Sequence, residues 1–564
     1  MIDEPKNSTP TPTNGINTNN DLILRLLPSF PATRSADDEL PPHLFPLSSS
    51  FQPPIPSSSS SAFRGTKSPP KTLHWAMAGL ILFSFTAPGA LVSVPFAIGT
   101  TGYVLGMLVL CLFTAATCGG CLMLLEIYLA HPHCQNLPEL GSVAIGGNGR
   151  WGRRMAATAQ LCNFVGFLPV SMTINAFALQ GTLGVNPEDS CLDVYILLIS
   201  LVCLLTTQAR VLTNTQSLAL LSLGAILAAG GIQLGIAFSP SLVPSPSPSP
   251  SAKTAARFFG HPLLSSTILS TDIIRTFLGL TCMSWSFVPC FLVVELASSM
   301  PSPKLFPRSL LLAALLLLLL FLGVGVPLVY QWGWDIPDPS YSFPSWPSSL
   351  PASRVMHALI LLANLVSYAL DSVPLVRYCQ RVWKPRFDPT DWSLRAVGTY
   401  FLLSLPSFMF GVLAALVVGN LLALLAFVSA LSVPWVTQIL PALFYFKWRK
   451  RMSSLPPSSF LSGRDHHSPW LLALPSPPPS FPPSSSSFST SLAFAKPHIL
   501  LPSEGKGGMH APLSRKEKLL LVLVGGVGIV NFSICAAAAV GKVSVSELRG
   551  HTQIGCGTWT VYSD

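Results

Sequence analysis

The sequence predicts an all-α polytopic membrane protein: about eleven transmembrane helices, in two oppositely inserted halves of five plus one extra C-terminal helix. Three observations predict it. Half of the 564 residues are hydrophobic and only 10% are charged, against roughly 25% charged in a soluble domain. Runs such as "SLLLAALLLLLLFLGVGVPLVY" (309–330) reach the roughly 20 apolar residues needed to cross a bilayer. Two of the apolar runs, five helices apart, carry helix breakers at mid-membrane depth.

The spans are read, in order, at 74–97, 102–127, 154–181, 193–208, 213–238, 273–298, 309–331, 355–377, 394–415, 418–446 and 519–541. The fourth is short, and the ninth and tenth are nearly continuous. Their direction follows from charge, because cytoplasmic loops collect Lys and Arg. With the N-terminus inside, all but six of the 33 Lys and Arg fall on the cytoplasmic side; the exceptions are Lys253, Arg257, Arg275, Arg354, Lys542 and Arg549. The acid-bearing "NPEDSCLD" (186–193) and "DIPDP" (335–339) fall outside. The net charge of +10 is therefore a topology signal. There is no basic stripe interleaved with aromatics of the kind that binds nucleic acid.

The transmembrane domain spans 71–541, with halves at about 74–238 and 273–446 and the last helix at 519–541. No cleavable signal peptide opens the chain. Residues 1–70 are rich in Ser, Pro, Asn and Thr and read as a disordered cytoplasmic tail. Pro/Ser-rich stretches form an external loop at 239–268 and a cytoplasmic linker at 452–515, which includes "LPSPPPSFPPSSSSFSTS" (474–491); such tracts are extended linkers. A short external tail closes the chain at 542–564. Of the twelve cysteines, only Cys191 and Cys556 fall outside, where a disulfide is an open option.

Span one reads "SFTAPGALVSVPFAIG" over 84–99, with Pro88, Gly89, Pro95 and Gly99. Proline removes a backbone donor and clashes with the preceding turn, and glycine adds slack. Span six reads "TCMSWSFVPCFLVVELASSMPSP" over 281–303, with Ser284, Ser286 and Pro289 mid-membrane. The two spans enter the bilayer from opposite sides. Interrupted helices at matching positions of inverted halves mark a binding site, because the freed backbone groups need protein, water or ligand to satisfy them. A simple proline kink is the bland alternative for either helix alone.

Five stretches resemble the amino acid/auxin permease family: "PGALVSVPFAIGTTGYVLG" (88–106), "LTNTQSLALLSLGAILA" (212–228), "VVELASSMPSP" (293–303), "SYALDSVPLVR" (367–377) and "FVSALSVPWVTQILPALFYFK" (427–447). The resemblance implies a LeuT-type fold and coupled transport of amino acids by alternating access. It also implies that helix one is unwound at Thr86, Ala87, Pro88, Gly89 and Ala90, and that the backbone N–H groups present there would receive the substrate carboxylate, helped by a half-helix positive end. The break from Cys282 to Phe287, with Ser284 and Ser286, would offer carbonyls to the ammonium, and Trp285 would wall or gate the side chain.

Sodium-coupled relatives often carry an Asn on helix one where this chain has Ser84, while Ser367 keeps a hydroxyl where a cation ligand is expected. A pair of neutral hydroxyls is a thin oxygen cage for sodium. Membrane carboxylates are costly and usually functional, so Glu295 and Asp371 are the proton-coupling candidates, with structural salt bridges to nearby basic clusters as the alternative. Glu126 lies nearer a cytoplasmic end. Sodium coupling and a non-transporting amino acid sensor of the same fold are the competing readings.

An enzyme is not indicated. There is no HExxH, GxSxG or P-loop; "GGNG" (146–149) lacks the Lys-Ser/Thr of a phosphate cradle, and "RDHH" (464–467) sits in a Pro/Ser linker. No cofactor or metal is implied. The expected partners are an amino acid, a proton or sodium, and the lipid bilayer, at the plasma membrane or a vacuolar/endolysosomal membrane.

Overall fold

The computed structural model describes residues 72–146, 149–185, 191–208, 216–239, 271–332, 350–383, 393–418, 420–454 and 513–548. The tail at 1–70 and the tract at 474–491 lie outside the described residues, as do most of the loop, linker and C-terminal tail expected at 239–268, 452–515 and 542–564.

Among the described residues, ten helices are long and apolar enough to cross a membrane. They include α1 (Trp75–Thr101) and α2 (Tyr103–Ala130), which turn sharply at Gly102 with φ of 83°. A short helix, α3 (Leu137–Ile145), follows. Asn136 and Glu139 cap it reciprocally: Glu139 N–H donates to Asn136 Oδ1 at 2.9 Å and Asn136 Nδ2 donates to Glu139 Oε1 at 2.8 Å. Spans three to five are α4 (Arg150–Leu183), α5 (Leu192–Thr206) and α6 (Gln216–Ala237). At 15 residues α5 is the eleventh apolar helix and the short one.

Span six is two pieces, α7 (Thr271–Trp285) and α8 (Val293–Ser299), joined through a non-helical stretch at 286–289 and a tight 3-10 turn at Cys290–Leu292. Span seven is α9 (Phe306–Leu320), a π turn (Phe321–Gly325) and α10 (Val326–Trp332). Then come α11 (Pro351–Trp383) and α12 (Leu394–Val418). Span ten is α13 (Leu421–Leu431), a π turn (Trp435–Ile439) and α14 (Leu440–Ser454). The last helix, α15 (Arg515–Leu548), starts on a capping box: Glu517 N–H donates to Ser514 Oγ at 3.2 Å and Ser514 N–H to Glu517 Oε2 at 2.7 Å. It continues seven residues past the boundary that the sequence suggests.

The most enclosed spans are the first and sixth, each 94% buried over its most apolar window, whereas the last is 22% buried. In an apolar solvent such as lipid, burial is no longer driven by hydrophobicity. The enclosed helices are instead the ones carrying backbone and hydroxyl groups that lipid cannot satisfy. Small residues let them approach: a Cβ at Gly279 would collide with Thr100 Oγ1, and one at Gly106 would stand 2.6 Å from Thr101 Oγ1.

Candidate substrate and coupling site

The structure corrects the expected unwinding of helix one. α1 is helical without interruption through Thr86, Ala87, Pro88, Gly89 and Ala90. Pro88 still removes one backbone donor, but nearby hydroxyls supply others. Thr86 Oγ1 donates to Leu82 O (3.1 Å) and Phe83 O (3.3 Å), Ser93 Oγ to Gly89 O (2.9 Å), and Ser367 Oγ, from α11, to Phe85 O (2.6 Å). Short side chains that bond the backbone in this way sustain a proline-bearing helix inside a membrane.

The break in span six is present, displaced toward the C-terminal side. The expected stretch began at Cys282, yet Cys282, Ser284 and Trp285 lie on the last turn of α7 and the helix stops only after them. Ser286 closes that end by folding back: its Oγ donates to Cys282 O at 2.7 Å and its N–H to Met283 O at 3.2 Å. Pro289, which has no N–H, then precedes the 3-10 turn. Ser284 Oγ is engaged from a direction the sequence did not suggest, accepting from Asn531 Nδ2 of α15 at 2.8 Å.

Trp285 connects spans one, three and six. A Cβ placed on half-buried Gly89 would lie 3.6 Å from Trp285 Nε1 and 4.0 Å from its Cδ1, so the indole covers the α1 backbone at that glycine. The same ring stacks on Phe167 of α4, centroids 4.8 Å apart and planes inclined at 18°. Phe167 stacks in turn on Phe85 (5.1 Å), and Phe291 meets Phe85 (5.1 Å) and Phe164 (4.8 Å) edge-on. Span one, span three and the break of span six are thus bound by one aromatic cluster. Sequence reasoning missed Phe85, Phe164, Phe167 and Phe291. The only signal was that Phe164 and Phe167 sit one turn apart on one helix.

The coupling candidates divide. Ser84 Oγ turns to α6 and donates to Ala219 O at 2.8 Å, while Ser367 Oγ turns to α1, so the two hydroxyls serve different helices. Glu295 is 6% exposed on α8, its backbone carbonyl accepting from Ser298 Oγ and Ser299 Oγ. Asp371 is fully buried on α11, and among the described residues neither carboxyl oxygen has a hydrogen-bond partner. The hydroxyl of Tyr368, nearly one turn away on the same helix, also lacks one. Among the described residues Asp371 makes no salt bridge. Glu126 accepts from Tyr445 Oη at 3.0 Å, and the same hydroxyl contacts Glu517 at 3.1 Å.

The profile of the family described as "Transmembrane amino acid transporter protein" matches residues 71–455, more than half of the chain. The chain belongs to this family. The match begins where the first described helix begins and ends with span ten, leaving α15 beyond it. The chain is accordingly an integral, multi-pass membrane protein of a transporter family. No curated protein matches it. Among solved structures, a Na+-coupled sialic acid symporter in its substrate-bound, outward-open state is similar at 16% identity. That match has a TM-score of 0.40 and covers 67% of this chain and 79% of that one. A likeness so slight bears on neither the fold nor the coupling ion.

Proposed function

We propose that the chain is a secondary active transporter that moves amino acids by alternating access and is driven by protons, built as the LeuT-type pair of inverted five-helix repeats. The observation that carries the reading is the meeting of Trp285, at the end of α7, with Gly89 of α1, beside the break in span six. A zwitterionic amino acid needs N–H groups for its carboxylate and carbonyls for its ammonium, and helix ends at a membrane break supply both. On the α1 side the reading requires the continuous helix to open at Pro88 when substrate binds, where it already lacks one backbone donor. Thr86 to Ala90 then receive the carboxylate, Cys282 to Ser286 face the ammonium, and Trp285 walls the side chain.

Proton coupling is supported by Asp371. An ionised carboxylate with no partner is expensive in a buried site, and a proton removes the charge. A monovalent cation would relieve it too, so sodium coupling is the second reading, with Ser367 close along the same helix. Charge asymmetry supports a cytoplasmic N-terminus.

The test is uptake by proteoliposomes of each of the twenty amino acids at two external pH values, with sodium or choline outside. The proton reading predicts uptake that rises as external pH falls and ignores choline; strict sodium dependence would sink it. A non-transporting sensor would bind without counterflow.

A further inference from the structure

α15 lies outside the two five-span halves, yet one of its side chains reaches the break. Asn531 is fully buried. Its Nδ2 donates to Ser284 Oγ at 2.8 Å and to Gln438 Oε1 at 3.3 Å, while its Oδ1 accepts from Cys535 Sγ at 3.5 Å. An amide nitrogen carries two hydrogens, so both donations are made together. Ser284 sits on the last turn of α7 and Gln438 in the π turn of span ten, so one side chain ties spans six, ten and eleven.

The approach of α15 is close. A Cβ at Gly528 would stand 2.9 Å from Gln438 Cβ and 2.9 Å from Ile439 Cγ1, nearer than side chains pack. At the same π turn, a Cβ at Gly120 of α2 would collide with the carbonyl of Thr437. The π turn is therefore clamped between α2 and α15, and such turns recur at functional sites. The bond to Ser284 has a specific consequence. Ser284 immediately precedes Trp285, so fixing its Oγ fixes the rotation of the last turn of α7 and the direction in which the indole leaves it.

We propose that Asn531 is a positioning residue for the substrate site: through Ser284 it holds Trp285 over Gly89, and through Gln438 it couples that wall to the π turn of span ten. The inference rests on the substrate lying beside Gly89 and Trp285. It assigns α15, otherwise an addition to the repeats, a part in setting substrate affinity.

The test uses the full chain in proteoliposomes, with whichever of the twenty amino acids the parent takes up best. Asn531→Leu is close in shape, makes neither hydrogen bond, and is welcome in lipid. It should raise KM about tenfold, the loss expected when a buried hydrogen bond to one partner is removed, with the maximal rate changed less than about threefold. Ser284→Ala removes the same bond from the other end without touching α15 and should raise KM to a similar degree. The two together should exceed either alone only slightly, because coupled residues are not additive. A merely structural role predicts something else: a lower melting temperature and less active protein, with KM like the parent's in every variant. That result overturns the proposal, and Ser284→Ala alone decides it where Asn531→Leu does not fold. A parent that takes up no amino acid overturns the functional reading along with this one. A parent that transports while both variants keep its KM overturns the positioning role alone.

Discussion

Gly89 is the residue on which the site turns. A Cβ built on it would already lie 3.6 Å from Trp285 Nε1, ordinary contact for one methyl but leaving no room for a branched side chain. Gly89→Ala should therefore fold and transport with KM raised by no more than a few-fold. Gly89→Val should abolish binding while inserting normally, since overpacking a close contact costs about 1–3 kcal/mol and the lost volume is the substrate's. Binding and detergent melting temperature, measured on both variants, check this; parent-like binding by Gly89→Val would mean that the substrate lies elsewhere. Asp371 supports a second residue-scale prediction. Asp371→Asn imitates a neutral carboxyl at a site with no hydrogen-bond partner, so the variant should melt no lower than the parent. Its uptake should lose the rise at low external pH. Both residues were legible in the sequence, one as a glycine between breakers and one as a membrane carboxylate. Asn531 was legible only as the acceptor of an "NFS" sequon; its buried bonds preclude a glycan there, and glycosidase treatment should leave the mass of the peptide carrying Asn531 unchanged.

At the scale of elements, the two breakers behaved differently for a non-local reason. Both spans carry proline, but only span six opens, at 286–289. In α1 the carbonyl of Phe85, next to the Ser84 carbonyl that Pro88 cannot serve, gains a bond from Ser367, 282 positions later in the chain, and no reading of span one alone contains that serine. Pro88→Ala should accordingly raise the melting temperature and lower substrate affinity, if opening at Pro88 is part of binding. A kink with no role predicts the first change without the second.

The ends of the spans around His131 and Arg449 are a separate element. There Arg449 Nη2 pairs with Glu517 Oε1 at 2.7 Å, and Trp448 Nε1 donates to His131 Nε2 at 3.3 Å. Glu517→Ala removes both the pair and the α15 capping box, and should lower stability by about 1–2 kcal/mol, less in high salt. His131 lies just beyond α2. Burial, with His133 and Arg451 beside it, holds its imidazole below the ordinary value of 6.5. A histidine kept neutral by the fold stabilises above the unfolded value and loses that contribution as pH falls through it. Melting temperature should thus drop below about pH 6.5 more steeply in the parent than in His131→Asn.

For the whole molecule, the arrangement of apolar spans could be read from the sequence because lipid imposes a single rule on each of them, length and apolarity. The short fourth span and the near-continuous ninth and tenth are α5, and α12 followed by α13, as the pattern suggests. The aromatic cluster and the Asn531 bridge were not readable, because each joins residues from three helices and depends on how those helices rotate. Cys191 is disulfide-bonded, its partner lying outside the described residues.

Amino acid movement driven by protons through Asp371 is tested directly by uptake into sodium-free proteoliposomes under an imposed inward proton gradient, comparing the parent with Asp371→Asn. The parent should accumulate substrate above the external concentration and lose it on adding a protonophore, and the variant should show only gradient-independent exchange. Accumulation by the variant equal to the parent's, or by the parent only when sodium is restored, would contradict it.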